Sequence, residues 1–132
     1  MLAYMLDTDI CIYAIKTRPP ELAEKFNALA EQLCISSVTL GELHYGAEKS
    51  ARRAENLHTI EHFAAHLDVL PFGEKAAAHY GQLRAELEKA GTPCGAHDMQ
   101  IGAHARSEGL ILVTNNLREF TRMPGLRAEN RV

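Results

Sequence analysis

Short apolar runs alternate with longer amphipathic stretches along this chain. Leu2-Ala3-Tyr4-Met5-Leu6 is the first run, and it stops sharply at Asp7. Leu33-Cys34-Ile35 is the second, stopped by Ser36-Ser37. Leu110-Ile111-Leu112-Val113 reads as the clearest buried strand and leads into Thr114-Asn115-Asn116. Val69-Leu70 is too short to assign alone. Helical stretches fill the intervals. Pro19-Pro20 opens a helix over residues 21–32. Further helices are expected near Ile10 and over residues 40–49, 51–67, 74–90 and 98–107. In residues 74–90, Tyr80, Leu83 and Leu87 share a face, Gly91 supplies the C-terminal stop and Pro93 follows it. Strands alternating with helices predict an α/β domain with a mainly parallel sheet.

Length adds one constraint. A chain of 132 residues has the size of one domain, residues 1–132. It can bury roughly two-thirds of its unfolded surface without disulfides or a structural metal. Hydrophobic residues at 46% and charged residues at 23% exclude a disordered or collagen-like chain. No apolar run approaches the ~20 residues that cross a bilayer, so no membrane partner is expected. Residues 1–7 lack the basic flank and cleavage site of a signal peptide. Cys11, Cys34 and Cys94 match neither a disulfide framework nor a zinc pattern, which implies a reducing, cytoplasmic setting. The net charge of −3 argues against nucleic acid, which usually selects a basic surface. That argument fails if carboxylates hold divalent cations.

The carboxylates therefore decide the matter. Asp7 and the Thr114-Asn115-Asn116 run both follow buried strands, and ligands of open α/β sheets bind beyond those carboxyl ends. Asp98 begins a helix after Gly95, Glu42 lies in the first turns after the second apolar run, and Glu119 lies just past Asn116. Each has a structural alternative. Asp7 and Asp9 could cap the helix near Ile10, and Asp98 could sit at a helix N-terminus for its dipole. Thr39 to Glu42 and Asn116 to Glu119 both fit a capping box. Together, four acids at strand ends and helix starts are what a hard-cation site needs. Oxygen ligands favour Mg²⁺ or Mn²⁺ over zinc. Phosphodiester hydrolysis is the chemistry best served by such a site, because it needs no Ser, Cys or His nucleophile. No nucleophile elbow, P-loop or dinucleotide glycine motif competes with it.

Other patterns point elsewhere. His58-Thr59-Ile60-Glu61-His62 matches the H-x-x-E-H pattern of a zinc protease class. On a helical wheel at ~100° per residue, His58, His62 and His66 fall opposite the apolar set Leu57, Ile60, Phe63, Ala64 and Leu67. The stripe is expected to face solvent. Asp7-Thr8-Asp9 is similar to the D-x-D start of haloacid-dehalogenase-type phosphatases. Cys11 departs from that motif, and the 18 residues after Thr114 are too few for its later motifs. Lys49, Arg52 and Arg53 form a small basic cluster; Lys16, Arg18, Arg118 and Arg122 are further candidates for phosphate contact. With no Trp and 6% aromatics, no stacking platform is legible.

Four blocks in order carry a family resemblance: Met5-Leu6-Asp7-Thr8-Asp9, residues 36–43, residues 95–105 and residues 112–120. On these blocks the chain resembles the PIN-domain ribonuclease toxins of the VapC type, over essentially its whole length. The resemblance implies a three-layer α/β/α fold and Mg²⁺- or Mn²⁺-dependent endonuclease action on RNA, often tRNA. It implies Asp7 and Asp98 as main metal ligands, with Glu42 and Glu119 completing the cluster directly or through water. Thr8 and Asn116 would orient ligands or water. It further implies a cognate antitoxin, operator DNA bound only through that antitoxin, and a homodimer. Asp9 stands where many relatives have Asn, and His97 where an aromatic is common. Two other classes stay open: a non-catalytic partner-binding module and the phosphatase.

Overall fold

Each apolar run becomes a strand in the computed structural model, which describes residues 1–17 and 19–130. The order is β1 (Tyr4–Leu6), α1 (Thr8–Thr17), α2 (Pro20–Ala28), a 3-10 turn (Ala30–Gln32), β2 (Leu33–Ser36), α3 (Ser37–Glu48) and α4 (Arg53–Ala64). Then come β3 (Asp68–Leu70), α5 (Glu74–Lys89), α6 (Ala96–Ser107), β4 (Ile111–Val113), α7 (Leu117–Phe120) and β5 (Ala128–Glu129). The sheet order is β3-β2-β1-β4-β5, and every pairing is parallel.

Alternation along the short strands divides the core in two. Met5, Cys34 and Leu112 face a cluster with Leu83 and Leu87 of α5, Met99 and Ile101 of α6, and Phe120 of α7. Leu6, Ile35 and Val113 face the other side, against Ile10 of α1, Leu43 of α3 and Ile60 of α4. The result is the expected three-layer α/β/α sandwich.

Helix limits differ from the sequence pattern for local reasons. The stretch expected over 21–32 breaks at Ala28 and continues as the 3-10 turn. The helix expected from residue 40 begins at Ser37, because Ser36 Oγ accepts the Val38 amide at 3.1 Å and caps it. The Thr39 capping box is therefore not formed, and Glu42 lies in the second turn. The 51–67 stretch keeps only Arg53–Ala64 as helix, and residues 68–70 pair with β2 as a strand. β5, two residues long, has no periodic signature and exists by pairing with β4.

Strand order reverses between β1 and β4. Chain connections leave β1 toward β2 on one side and return to β4 on the other, which opens a crevice beyond their carboxyl ends. Leu6 pairs with Val113, so Asp7 and Thr114 come next, side by side. Ser36 ends β2 beside them and is fully buried. Its hydroxyl also meets Nδ1 of the buried His104 at 2.8 Å, tying α3 to α6. Burial lowers the His104 pKa and keeps the ring neutral. Ser36→Ala removes the cap and leaves that ring nitrogen without its partner. The variant should lose about 1–3 kcal/mol in a denaturant melt; a loss below ~0.5 kcal/mol would contradict this role.

Candidate active site

Asp7 is a carboxylate where the fold offers least water. It is 2% exposed, directly after the central strand. Oδ1 accepts the Thr8 amide at 2.7 Å, and Oδ2 accepts the Thr114 hydroxyl at 2.7 Å. These bonds favour the charged form, but burial outweighs them. The Asp7 pKa is raised to about 6, with Asp9 and Glu42 adding repulsion.

The first turn of α1 links Asp7 to α3. The Thr8 hydroxyl donates to Glu42 Oε1 at 2.8 Å and meets the buried Thr39 hydroxyl at 3.2 Å. With one proton to give, Thr8 donates to the carboxylate and accepts from Thr39. Glu42 Oε2 accepts from His97 Nδ1 at 3.0 Å. The residue before Asp98 thus holds the Glu42 carboxylate from the opposite wall.

Asp98 lies in the first turn of α6, after Gly95. Glu119 faces it from α7. The Gly95 amide donates to Glu119 Oε1 at 2.8 Å, and Asn116 Nδ2 donates to Oε2 at 2.9 Å. Asp98 occupies the first-turn position favoured by the helix dipole rather than the N-cap, which is Gly95, and the Asn116 capping box does not form, because no side chain caps α7. Asp98 and Glu119 titrate as a pair whose pKa values are pushed apart. Burial, the Glu119 hydrogen bond and the charges of Glu119, Asp7 and Asp9 raise Asp98 to about 7. Burial pushes Glu119 up as well, but the Gly95 amide, Asp98, Asn116 and Arg122 together hold it below its ordinary value. A side-chain carbon at Gly95 would stand 3.7 Å from both Asp98 Oδ2 and Glu119 Oε1.

The acids thus form two bonded groups that repel each other. One is Asp7 with Thr8 and Glu42, the other Asp98 with Glu119. Asp9 is exposed, yet near enough to raise both Asp7 and Asp98. Thr114 and Gly95 join the network without having been assigned a role from sequence, and Thr39 joins it in place of its capping box. Thr114 had a visible signal, its place directly after a buried strand; a single backbone amide such as that of Gly95 has none. Among the described residues, no three His, Cys, Asp or Glu side chains stand ready-made around one ion. Magnesium does not require that. It binds through one or two carboxylates and keeps several waters, so this all-oxygen set fits it.

The other candidates separate clearly. His58, His62 and His66 are exposed, as expected. Arg52 and Arg53 pair with Glu55 and Glu48 at the surface. Lys16 and Lys49 line the groove that leads from the acids, whereas Arg118 is exposed outside it. Arg122 stands near Glu119, and Arg18 lies outside the described residues.

Known proteins give this arrangement a family. The PIN domain model matches residues 4–126. The chain belongs to the PIN-domain family, within its VapC branch. It is 52% identical over 130 residues to the tRNA(fMet)-specific endonuclease VapC of Salmonella typhimurium, covering 98% of both chains. Identity is 55% to Ribonuclease VapC2 of Haemophilus influenzae, again over 98% of both. Among solved structures, DNA-bound VapBC from Salmonella typhimurium aligns with a TM-score of 0.97 at 52% identity, over 98% of each chain. VapBC2 from Rickettsia felis, bound to a promoter DNA fragment, aligns at 0.94 and 40%, covering 99% of this chain and 100% of the other. Membership in the PIN family sets the phosphatase reading aside. Among the described residues, no helix is long and apolar enough to cross a membrane.

The crowded PIN-domain acids set a pH dependence. Asp7 and Asp98 titrate near 3.8 when unfolded but hold protons to about 6 and about 7 when folded. Across that window the native state binds more protons, so stability falls as pH rises. In EDTA the thermal midpoint should drop between about pH 4 and pH 7, with Asp7 alone worth up to about 3 kcal/mol over that whole window. Asp98→Asn should flatten the decline. A midpoint that holds or rises with pH would show that the carboxyls are not held protonated.

Proposed function

We propose that this chain is a divalent-metal-dependent endoribonuclease, the toxin of a VapBC-type toxin–antitoxin pair, acting as one nuclease domain in the cytoplasm. Asp7 and Asp98 hold Mg²⁺ or Mn²⁺, with Glu42 and Glu119 acting directly or through water. The observation that carries the reading is the convergence of these four acids beyond β1 and β4, in a chain 52–55% identical to named VapC nucleases. The Salmonella relative's name specifies tRNA(fMet), so tRNA is the substrate class proposed here. The VapBC structures support an antitoxin partner, with DNA bound in the complex. A homodimer is proposed from the family resemblance.

When bound, the cation lowers the pKa of a water and offsets the phosphodiester charge. The chain's residues supply position. Thr8 fixes one oxygen of Glu42, and Asn116 with the Gly95 amide fixes both oxygens of Glu119. Glu119, held below the ordinary carboxylate value by its hydrogen bonds, is a fixed acceptor for a water hydrogen. In hydrolysis, the water oxygen bonds to phosphorus and a P–O bond to sugar breaks, leaving one phosphate and one hydroxyl end.

The test is incubation of total tRNA with the purified chain, in Mg²⁺ or Mn²⁺ and in excess EDTA. Discrete products should form only with metal. Asp7→Asn and Asp98→Asn should each lower the rate about 100-fold or more. Cleavage that survives EDTA or either substitution would refute the site. No cleavage under any condition would favour the partner-binding module.

A further inference from the structure

Tyr45 is out of place for a structural residue. It is 65% exposed, and it belongs to no core cluster. Of the three large hydrophobic side chains exposed among the described residues, Tyr45 and Ile12 both line the groove that leads away from the acids. That groove holds about 860 Å³, toward the upper end of the ~300–1,000 Å³ of ligand clefts.

One wall of the groove is α3. Glu42, Tyr45 and Lys49 follow one another at spacings of three and four, which stacks them on a single helix face. They span about 10 Å along the helix. The Lys49 ammonium lies 4.8 Å from the centre of the Tyr45 ring. Lys16, in the last turn of α1, also lines the groove. Neither lysine makes an ion pair among the described residues. From the acids outward, the groove thus presents carboxylate, an exposed aromatic ring with Lys49 over one face, and cations that make no ion pair among the described residues.

Resting on the ribonuclease reading above, we propose that Tyr45 is a substrate-binding residue that stacks an unpaired base flanking the scissile phosphate. Lys49 and Lys16 then meet backbone phosphates on either side of it. Grooves for single-stranded nucleic acid combine these two features, an aromatic platform and cations along the backbone. An arriving base takes the ring face that Lys49 now covers, and the base's own phosphate receives the displaced ammonium. The site demands an unpaired base rather than a particular one, which directs the nuclease to loops and open strands.

Removing the ring should weaken binding and leave chemistry alone. Tyr45→Ala should lower kcat/KM on total tRNA about five- to 150-fold, through KM, with kcat within about twofold. Tyr45→Phe keeps the ring and should keep the rate. Binding can be read separately. The chain has no Trp, so Tyr45→Trp introduces a sole indole reporter. In EDTA, an unstructured oligoribonucleotide should quench its emission, and an abasic strand of equal length should not. Tyr45→Ala cleaving at wild-type kcat/KM, or equal quenching by both strands, would overturn the proposal. So would a Tyr45→Ala variant that loses only inhibition by a co-produced protein, which would assign this face to a protein partner. Absence of nuclease activity in the wild type would refute the ribonuclease reading on its own, and the quenching comparison would still decide the stacking role.

Discussion

A carboxylate held out of water at the end of the central strand is the constraint on which this structure turns. Burying an ion costs several kcal/mol unless hydrogen bonds and opposite charge offset it. Among the described residues, Asp7 receives two hydrogen bonds and no cationic side chain. The sheet dictates this placement. The backbone ladder carries Asp7 one step past Leu6, with its amide still donating to Val113 at 2.9 Å. With the backbone so fixed, swinging the side chain out would break its bonds to the Thr8 amide and the Thr114 hydroxyl.

The surrounding structure follows from that immobile charge. α1 begins at once, so Thr8 is fixed within reach of Glu42. Ser36 both ends β2 and caps α3, which begins at Ser37 and so sets the turn on which Glu42 falls. α6 and α7 bring Asp98 and Glu119 from the other side, joined through Gly95 and Asn116. Every link in this chain orients a negative group toward the others. Burial and repulsion raise the Asp7 and Asp98 pKa values to about 6 and about 7, a strain that a divalent cation would relieve. Functional sites commonly retain such locally unfavourable arrangements, supported by the rest of the fold.

What the sequence discloses depends on how local its cause is. Apolar runs ending in Asp7, Ser36 and Thr114 mark strand ends because burial and polarity change within one residue there. The acids are legible for the same reason. The capping boxes mislead because spacing alone cannot tell a helix-capping Glu from one that reaches across the crevice. Glu42 bonds Thr8, 34 residues away, and Glu119 bonds the Gly95 amide, 24 residues away. β3 and β5 are too short to carry periodicity and are defined by their neighbours. His97 shows no role until Glu42 comes within 3.0 Å of it. The stacking face of Tyr45 is equally hidden, since exposure of one ring on an amphipathic helix is a property of the assembled groove.

The proposed site joins these carboxylates around a cation that removes their mutual repulsion. Its most direct test is the thermal midpoint of the purified chain near pH 8, titrated with Mg²⁺ or Mn²⁺ against EDTA. The midpoint should rise with metal concentration as binding to the folded state requires. Asp98→Asn should start higher in EDTA and respond little to metal. A wild-type midpoint indifferent to both ions, or an equal metal response from Asp98→Asn, would contradict the account.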